Sequence, residues 1–154
     1  MSDTVIRRAG IDDATVLATL RWRFKAEEDG EPPQNEDEFV TECDQWLRTR
    51  MAEAWRVWVA EVDEQVCGHV FLCLVDKVPS PFPGSDQLGY VTNFYVVPEQ
   101  RNRGIGSALL DEMNRYAQDN GLDTLIVWPS DRSAPLYRRH GFEEPTELLE
   151  LPVE

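Results

Sequence analysis

Extended stretches along the chain alternate apolar and polar residues or run in short apolar blocks rich in β-branched and aromatic residues. This pattern predicts five strands, at Thr4–Arg8, Ala54–Val62, Val66–Asp76, Leu88–Val97 and Thr124–Trp128. Alternating apolar residues near the end of the chain predict one more edge strand, at Glu147–Val153.

Other stretches have apolar residues three and four positions apart, which is the spacing of a helix. The first helix begins at Asp12 or Asp13, either of which can cap it. Its apolar face holds Val16, Leu17, Leu20 and Phe24. The second helix runs roughly over Glu36–Arg50, after a break at residues 30–33. Its predicted inward face holds Phe39, Cys43, Trp46 and Leu47.

A third helix follows residue 107 and ends near Asn120, where Gly121 is a natural stop, and a fourth covers Arg132–His140. The predicted order is therefore β-α-α-β-β-β-α-β-α-β. Hairpins, such as the one across Asp63–Gln65, give antiparallel strand pairs. The strand-helix-strand unit around the third helix gives one parallel pair. The fold class is thus α/β, with a mixed, mostly antiparallel sheet and flanking helices in a single domain over residues 1–154.

Composition narrows the class of protein. The 154 residues are 42% hydrophobic and carry a net charge of −14, so a folded domain is expected and neither nucleic acid nor an anionic membrane is an expected partner. The start of the chain has no apolar signal core, which predicts a cytoplasmic protein. Cys43, Cys67 and Cys73 are predicted to be free thiols, and no metal site is expected.

The most informative segment is Arg101–Ser107, which lies between a predicted strand and a predicted helix. A glycine-containing loop that opens a helix presents free N–H groups and the positive end of the helix dipole to an anion. The third glycine of a dinucleotide-binding loop is absent, as is the Gly-Lys-Ser/Thr of a P-loop. Both nucleotide interpretations therefore fail.

Two longer patterns are more specific. The first is Val96-Val97-Pro98-x-x-Arg101-x-x-Gly104-x-Gly106, followed by the third helix. It closely resembles the acyl-CoA-binding motif of the GNAT superfamily of N-acyltransferases. The second is Leu136-Tyr137 followed by Gly141-Phe142, which resembles the other hallmark of that superfamily. The order of predicted elements also matches over nearly the whole chain.

The resemblance implies the GNAT fold, with a bulge at residues 93–96 and a parallel strand pair that splays to admit acetyl-CoA as co-substrate. It implies that acyl-CoA contacts Val96, Val97, Arg101, Asn102, Arg103, Gly104, Ile105, Gly106, Ser107, Ser130, Ser133 and Tyr137. Tyr137 is the implied catalytic residue and would meet the leaving thiolate. Ser130 and Ser133 stand where the superfamily often has Asn and Ala, and a serine has a shorter reach.

The acceptor side is less defined. The strand before the loop offers only Thr92 and Asn93 where the superfamily often has a carboxylate base. Acidic residues are instead concentrated between positions 26 and 47, and they favour a cationic amine. Candidate acceptor-site residues are Trp22, Glu27, Glu28 and Asn93. His69 is interpreted as a histidine of the core or the sheet surface rather than as a base.

Three functions remain open. The first is acetyl transfer from acetyl-CoA to a primary amine by direct attack in a ternary complex. The second is a non-catalytic acyl-CoA-binding or sensor domain, and the third is an acetyltransferase of protein N-termini or lysines. The resemblance to the superfamily also allows for a homodimer.

Overall fold

A computed structural model describes residues 3–153 of the chain. Its strands are β1 (Thr4–Arg8), β2 (Trp55–Val62), β3 (Gln65–Asp76), β4 (Gln87–Val96) and β5 (Leu125–Val127). Its α-helices are α1 (Ala14–Asp29), α2 (Glu36–Arg50), α3 (Ile105–Asp119) and α4 (Ala134–Arg139). These bounds confirm the corresponding predicted elements to within about two residues at each end, which is the ordinary uncertainty of an element boundary. The exception is α3, which begins at Ile105, three residues earlier than predicted.

The five strands form one sheet in the order β1-β2-β3-β4-β5. The first four strands pair antiparallel, and β5 pairs parallel with β4. The predicted hairpin between β2 and β3 is present, and Asp63 and Glu64 at its turn both have positive φ. The mixed, mostly antiparallel sheet predicted from the sequence is therefore confirmed.

Alternate residues of β2 belong to two apolar clusters. Val57 and Val59 pack with Leu17 of α1 and Leu47 of α2. Trp58 and Ala60 join a larger cluster that includes the buried residues of α3, which are Ile105, Leu109, Leu110, Met113 and Ala117. Because successive side chains of a strand point to opposite faces, helices cover both sides of the sheet. No helix within residues 3–153 has the length and apolar character needed to cross a membrane.

Two sequence predictions are wrong. Residues 147–153 form no strand, and their apolar side chains are largely exposed, Leu149 at 93% and Leu151 at 82%. Alternation specifies a strand only where a neighbour supplies a ladder and a core, and β5 is only three residues long. Trp46 is 42% exposed rather than turned into the core, although its ring contacts that of Trp55.

Candidate functional site

Strands β4 and β5 separate to leave a cleft. Their parallel pairing runs from Gly89 to Val91 on β4 and ends where β5 ends, at Val127, whereas β4 continues to Val96. A cavity of about 590 Å³ lies at this end of β4. It is lined by residues of the segment 100–107, of β4, of the end of α1, and of the segment 130–139. The structure thus brings the loop of the first motif and Leu136 of the second to one cleft. Tyr137, Gly141 and Phe142 of the second motif line a neighbouring cavity instead.

The main chain of the loop before α3 has a conformation suited to binding an anion. Asn102 and Gly104 have φ of 64° and 79°, which turn the chain sharply into the helix. The first helical hydrogen bond runs from the Ala108 N–H to the Gly104 carbonyl, at 3.0 Å. The N–H groups of the preceding first-turn residues therefore have no acceptor within the helix. Ile105 is buried and fixes this turn against the core.

Gly106 is the tightest position of the loop. A Cβ added there would lie 3.0 Å from Leu136 Cδ2 and 3.1 Å from Phe94 Cζ. The glycine therefore lets the first turn of α3 approach both β4 and α4 closely. It joins the two motifs physically.

The two loop arginines have different environments. Arg103 extends to the side-chain oxygen of Gln100 at 3.0 Å. Arg101 turns across the mouth of the cleft, where its Nε donates to the Val96 carbonyl at 2.9 Å. Its Nη2 lies 2.6 Å from Glu27 Oε2, so the charge of Arg101 is already paired with a carboxylate.

Glu27 is the centre of a small polar cluster. Besides Arg101, it accepts a hydrogen bond from the Tyr95 hydroxyl at 3.1 Å and lies 3.5 Å from Arg132. Desolvation acts to raise the pKa of Glu27, but the hydrogen bonds from Arg101 and Tyr95 and the nearby positive charges outweigh it and lower the pKa below its usual value. Glu27 is therefore an ionised partner of two arginines and a weak base.

Ser107 ends a chain of three polar side chains that sequence reasoning missed. His140 Nε2 lies 3.1 Å from Ser107 Oγ, and His140 Nδ1 lies 3.0 Å from Asp111 Oδ1. Ser107 and Asp111 are four residues apart and so lie on one face of α3, which was the available signal. His140 thus holds the Ser107 hydroxyl in place on the first turn of α3.

Ser130 and Ser133 line the same cleft but are bonded to each other. Their hydroxyl oxygens are 2.9 Å apart, and each hydroxyl also accepts a hydrogen bond from the backbone N–H of the other residue. These bonds close the turn before α4. Both hydroxyls therefore serve the local turn in this structure.

Tyr137 is buried at the base of α4, with 3% of its surface exposed. Its ring centroid lies 5.5 Å from that of Phe94, which lines the cleft, and 5.1 Å from that of Phe142. Burial raises the pKa of Tyr137. The phenol therefore stays protonated at neutral pH and remains able to donate a hydrogen bond.

A bulge interrupts β4 where the resemblance predicted one. His69 pairs with Tyr95 and Phe71 pairs with Thr92, so β4 has one residue more than β3 between these pairs. Asn93 in this bulge has a φ of 51°. The Val97 N–H donates to the Cys67 carbonyl of β3, at 2.8 Å. Because antiparallel strands alternate, the backbone groups of Val96 point away from β3, toward the side of the cleft.

His69 is fully buried beneath the bulge. Its Nδ1 lies 2.7 Å from the Asn93 carbonyl oxygen, and its Nε2 has no hydrogen-bond partner within the described residues. Desolvation lowers the pKa of His69 to about 4, more than the bond to Asn93 raises it. The ring is therefore neutral, which agrees with its interpretation as a core histidine.

The remaining acceptor candidates lie apart from the cleft floor. Trp22 contacts Phe39, with ring centroids 5.8 Å apart, and so helps join α1 to α2. Glu28 borders the cavity, but its carboxylate is 2.7 Å from Lys25. Cys43, Cys67 and Cys73 are free, as predicted, and desolvation raises the pKa of all three thiols.

Residues 53–144, more than half of the chain, match the family model of the acetyltransferase (GNAT) domain. The chain belongs to the GNAT family. A solved relative, described as a predicted acetyltransferase with acetyl-CoA from Clostridium acetobutylicum, superposes on this GNAT chain with a TM-score of 0.80. The two are 25% identical, and the alignment covers 97% of this chain and 96% of that one.

Two curated relatives align with a smaller part of this chain. An uncharacterized N-acetyltransferase of Methanocaldococcus jannaschii is 26% identical over 112 residues, which cover 64% of this GNAT chain and 48% of the relative. Glucosamine 6-phosphate N-acetyltransferase of Trypanosoma brucei brucei is 23% identical over 122 residues, 79% of this chain and 80% of the relative. The aligned part of the chain thus spans about half the length of the archaeal relative and most of the trypanosomal one.

Proposed function

We propose that this GNAT chain transfers an acetyl group from acetyl-CoA to the primary amine of a small molecule, directly and within a ternary complex. The observation that carries the proposal is the cleft between β4 and β5. Its floor is a bulged strand and its end is a helix N-terminus with free N–H groups and two glycines. An extended amide-bearing arm with a pyrophosphate at one end matches both features.

The residues present fit this substrate. The backbone of Arg101, Asn102, Arg103, Gly104, Ile105, Gly106 and Ser107 would hold the pyrophosphate, with the Ser107 hydroxyl beside it. Val96 and Val97 would flank the arm at the open side of β4. Arg101 would exchange Glu27 for the ligand, since both are anions that its guanidinium can pair with. Ser130 and Ser133 would border the arm from the α4 side.

Acyl transfer breaks a C–S bond and forms a C–N bond. When bound, acetyl-CoA supplies the activated acetyl thioester. The Val96 N–H, directed toward the cleft, would stabilise the negative charge that develops on the carbonyl oxygen. Tyr137 would donate a hydrogen bond to the departing sulfur, since its raised pKa keeps the phenol protonated.

The amine must be neutral to attack, and an ordinary alkylammonium is neutral in only about one molecule in 2,500 at pH 7. The carboxylates that close α1 are engaged, Glu27 with Arg101 and both Glu28 and Asp29 with Lys25. These ion pairs argue against any of them as the base. In the proposed reaction, water therefore removes the proton from the acceptor ammonium.

A small amine is favoured over a protein because the name of the trypanosomal relative specifies an amino sugar phosphate as its acceptor. The predicted preference for a cationic amine stays a prediction, because the acids nearest the cleft are already paired. The test is release of free thiol from acetyl-CoA across a panel of cationic, neutral and phosphorylated amines, with peptides alongside. Turnover on small amines supports the proposal. Turnover on peptides alone favours a protein acetyltransferase, and tight CoA binding without turnover favours a sensor.

Replacing Tyr137 with Phe removes the hydroxyl and keeps the ring against Phe94 and Phe142. We expect kcat to fall about 10- to 100-fold, up to the lower limit of the range for full proton transfer because Tyr137 donates only a hydrogen bond, with CoA affinity changed less than about threefold. Steady-state kinetics and calorimetric CoA titration measure the two effects. An unchanged kcat would remove Tyr137 from the mechanism.

A further inference from the structure

We propose that His69 and Arg21 are positioning residues that together hold the bulge of β4 in the shape that acyl transfer needs. The inference rests on the proposed function, because it concerns the backbone groups that the proposal places next to the reacting carbonyl. Neither residue touches the cleft in the structure, and both bind the same residue, Asn93, from different elements.

Asn93 has a backbone conformation that needs support. Its φ of 51° lies in the left-handed region, where side chains other than glycine are disfavoured and Asn is among the better tolerated. It is the residue at which β4 takes up its additional position relative to β3. The surroundings must therefore hold Asn93 there, rather than let it relax into a regular strand.

His69 holds the main chain of Asn93. It lies on β3 opposite Tyr95, at the edge of the bulge, and its Nδ1 donates to the Asn93 carbonyl at 2.7 Å. Since the acceptor is a carbonyl, the proton must be on Nδ1, which fixes the neutral tautomer. The ring is packed between Phe71 and Tyr95, with centroids 5.4 Å and 5.9 Å away, so it has no room to turn from this bond.

Arg21 holds the side chain of Asn93. Its Nη1 donates to Asn93 Oδ1 at 3.0 Å, from the middle of α1. Within residues 3–153 Arg21 takes part in no ion pair, although the chain carries 29 acidic residues. The guanidinium is thus committed to an amide oxygen. Main chain and side chain of one residue are fixed by β3 and α1 at once.

The consequence for the cleft follows from strand geometry. Without the bulge, a regular β4 would be shifted by one residue, and each later residue would exchange its face and its direction of hydrogen bonding. The Val96 N–H would then point to β3 instead of the cleft. Phe94 would leave its contacts with Tyr137 and with the space beside Gly106. Both the charge-stabilising N–H and the phenol depend on this one backbone turn.

The test compares two substitutions of His69. In His69→Asn the side-chain amide nitrogen takes the place of Nδ1 and can still donate to the Asn93 carbonyl, whereas His69→Leu fills the space and cannot donate. We expect His69→Leu to lower kcat by about 100-fold, the loss typical of a misplaced oxyanion donor, with CoA affinity reduced less than about fivefold. We expect His69→Asn to recover most of that loss in kcat.

Val59→Ala is the matched control. Val59 is fully buried and stands opposite His69 on β2, but it does not contact the bulge through a hydrogen bond. It should lower thermal stability while kcat stays within about threefold. Arg21→Met is a second variant on a partly exposed helix position and should lower kcat about tenfold, so the inference stays testable if His69→Leu does not fold.

Equal losses of kcat in His69→Leu and His69→Asn, or an unchanged kcat in folded His69→Leu and Arg21→Met, would overturn the inference. If the wild-type protein turns over no amine, the proposed function fails and the bulge is tested directly. Crystal structures of His69→Leu and His69→Asn then decide it. A positive φ at Asn93 in His69→Asn but not in His69→Leu supports the inference, and the same φ in both overturns it.

Discussion

The two long helices beside the cleft, α1 and α3, are attached to the sheet in different ways. Helix α3 buries apolar residues from its first turn to its last, from Ile105 to Ala117. Helix α1 buries apolar residues only in its first half, Ala14 to Leu20. Its second half reaches β4 and the loop before α3 mainly through polar contacts, Arg21 to Asn93, Arg23 to Glu99 and Glu27 to Arg101. Phe24 adds an apolar contact, since its partly buried ring stacks on Tyr95 with centroids 4.8 Å apart.

This difference separates a firmly attached side of the candidate site, at α3, from a weakly attached side, at the end of α1. Burial of apolar area is worth a few kcal/mol for each large side chain, whereas an exposed ion pair is worth about 0–1 kcal/mol. The loop before α3, residues 101–104, is therefore attached to a firmly packed helix. The last turn of α1, beyond Phe24, lies where the acceptor amine is expected to enter. It is held by the polar contacts of Glu27, which are weaker and easier to exchange.

The largest expected effect tests the packing of α3. Leu109 is fully buried, so Leu109→Ala should lower the free energy of unfolding by about 2–5 kcal/mol. Arg23→Ala removes an exposed ion pair of α1 and should cost less than about 1 kcal/mol. Urea denaturation of both variants measures the contrast. Similar costs for the two would contradict the division described above.

The next effect is the pH dependence of folding stability, which we expect His69 of β3 to dominate. His69 has a pKa of about 4 in the folded protein against an ordinary value of 6.5, so the unfolded chain takes up a proton first as the pH falls. Stability from this group is complete above about pH 6.5 and is lost progressively down to about pH 4. By linkage the loss approaches about 3 kcal/mol.

Unfolding free energies measured between pH 4 and 7 should show this decline in the wild type. His69→Asn removes the titrating group and should show a correspondingly flatter profile. Carboxylates such as Asp13, whose pKa is lowered chiefly by its hydrogen bond to Arg7, titrate at lower pH in both proteins. Identical profiles for the two proteins would show that the burial of His69 does not govern acid stability.

The smallest effect tests the exchangeable contact of α1. Glu27→Gln removes the carboxylate that pairs with Arg101, so the guanidinium becomes free to meet a phosphate. We expect the dissociation constant for CoA to fall about threefold, which is about 0.7 kcal/mol. Glu28→Gln is the matched control, since its partner is Lys25, and it should leave CoA affinity unchanged. Weaker CoA binding in Glu27→Gln would show that this ion pair supports the donor site instead.

The loop before α3 and the helix itself could be predicted from the sequence because their determinants are local. Gly104 and Gly106 mark a loop that few other residues permit, and the spacing of apolar residues places α3 directly after it. The acceptor side could not be predicted in the same way. Glu27 and Arg101 are 74 positions apart, and the partner of His69 is 24 positions away, so no periodicity connects them.

The tail, residues 147–153, shows that a local pattern can also predict a strand that does not form. The alternation over 147–153 is a real local pattern, but a strand forms only where a neighbour offers backbone partners and a surface to cover its apolar face. The short β5 offers little of either, and the tail is joined to its end by the hydrogen bond that Trp128, the residue after β5, donates to Glu150.

The sequence by itself determined the order of helices and strands from β1 to α4, the mixed sheet and the glycine-containing loop before α3. These depend on side-chain periodicity and on glycine backbone preferences, which act over a few residues. Only the tertiary structure decided that Arg101 pairs with Glu27, that Ser107 bonds to His140 and that His69 and Arg21 meet at Asn93. Such pairings join distant parts of the chain, and their strength depends on a burial that exists only once the sheet and helices have packed.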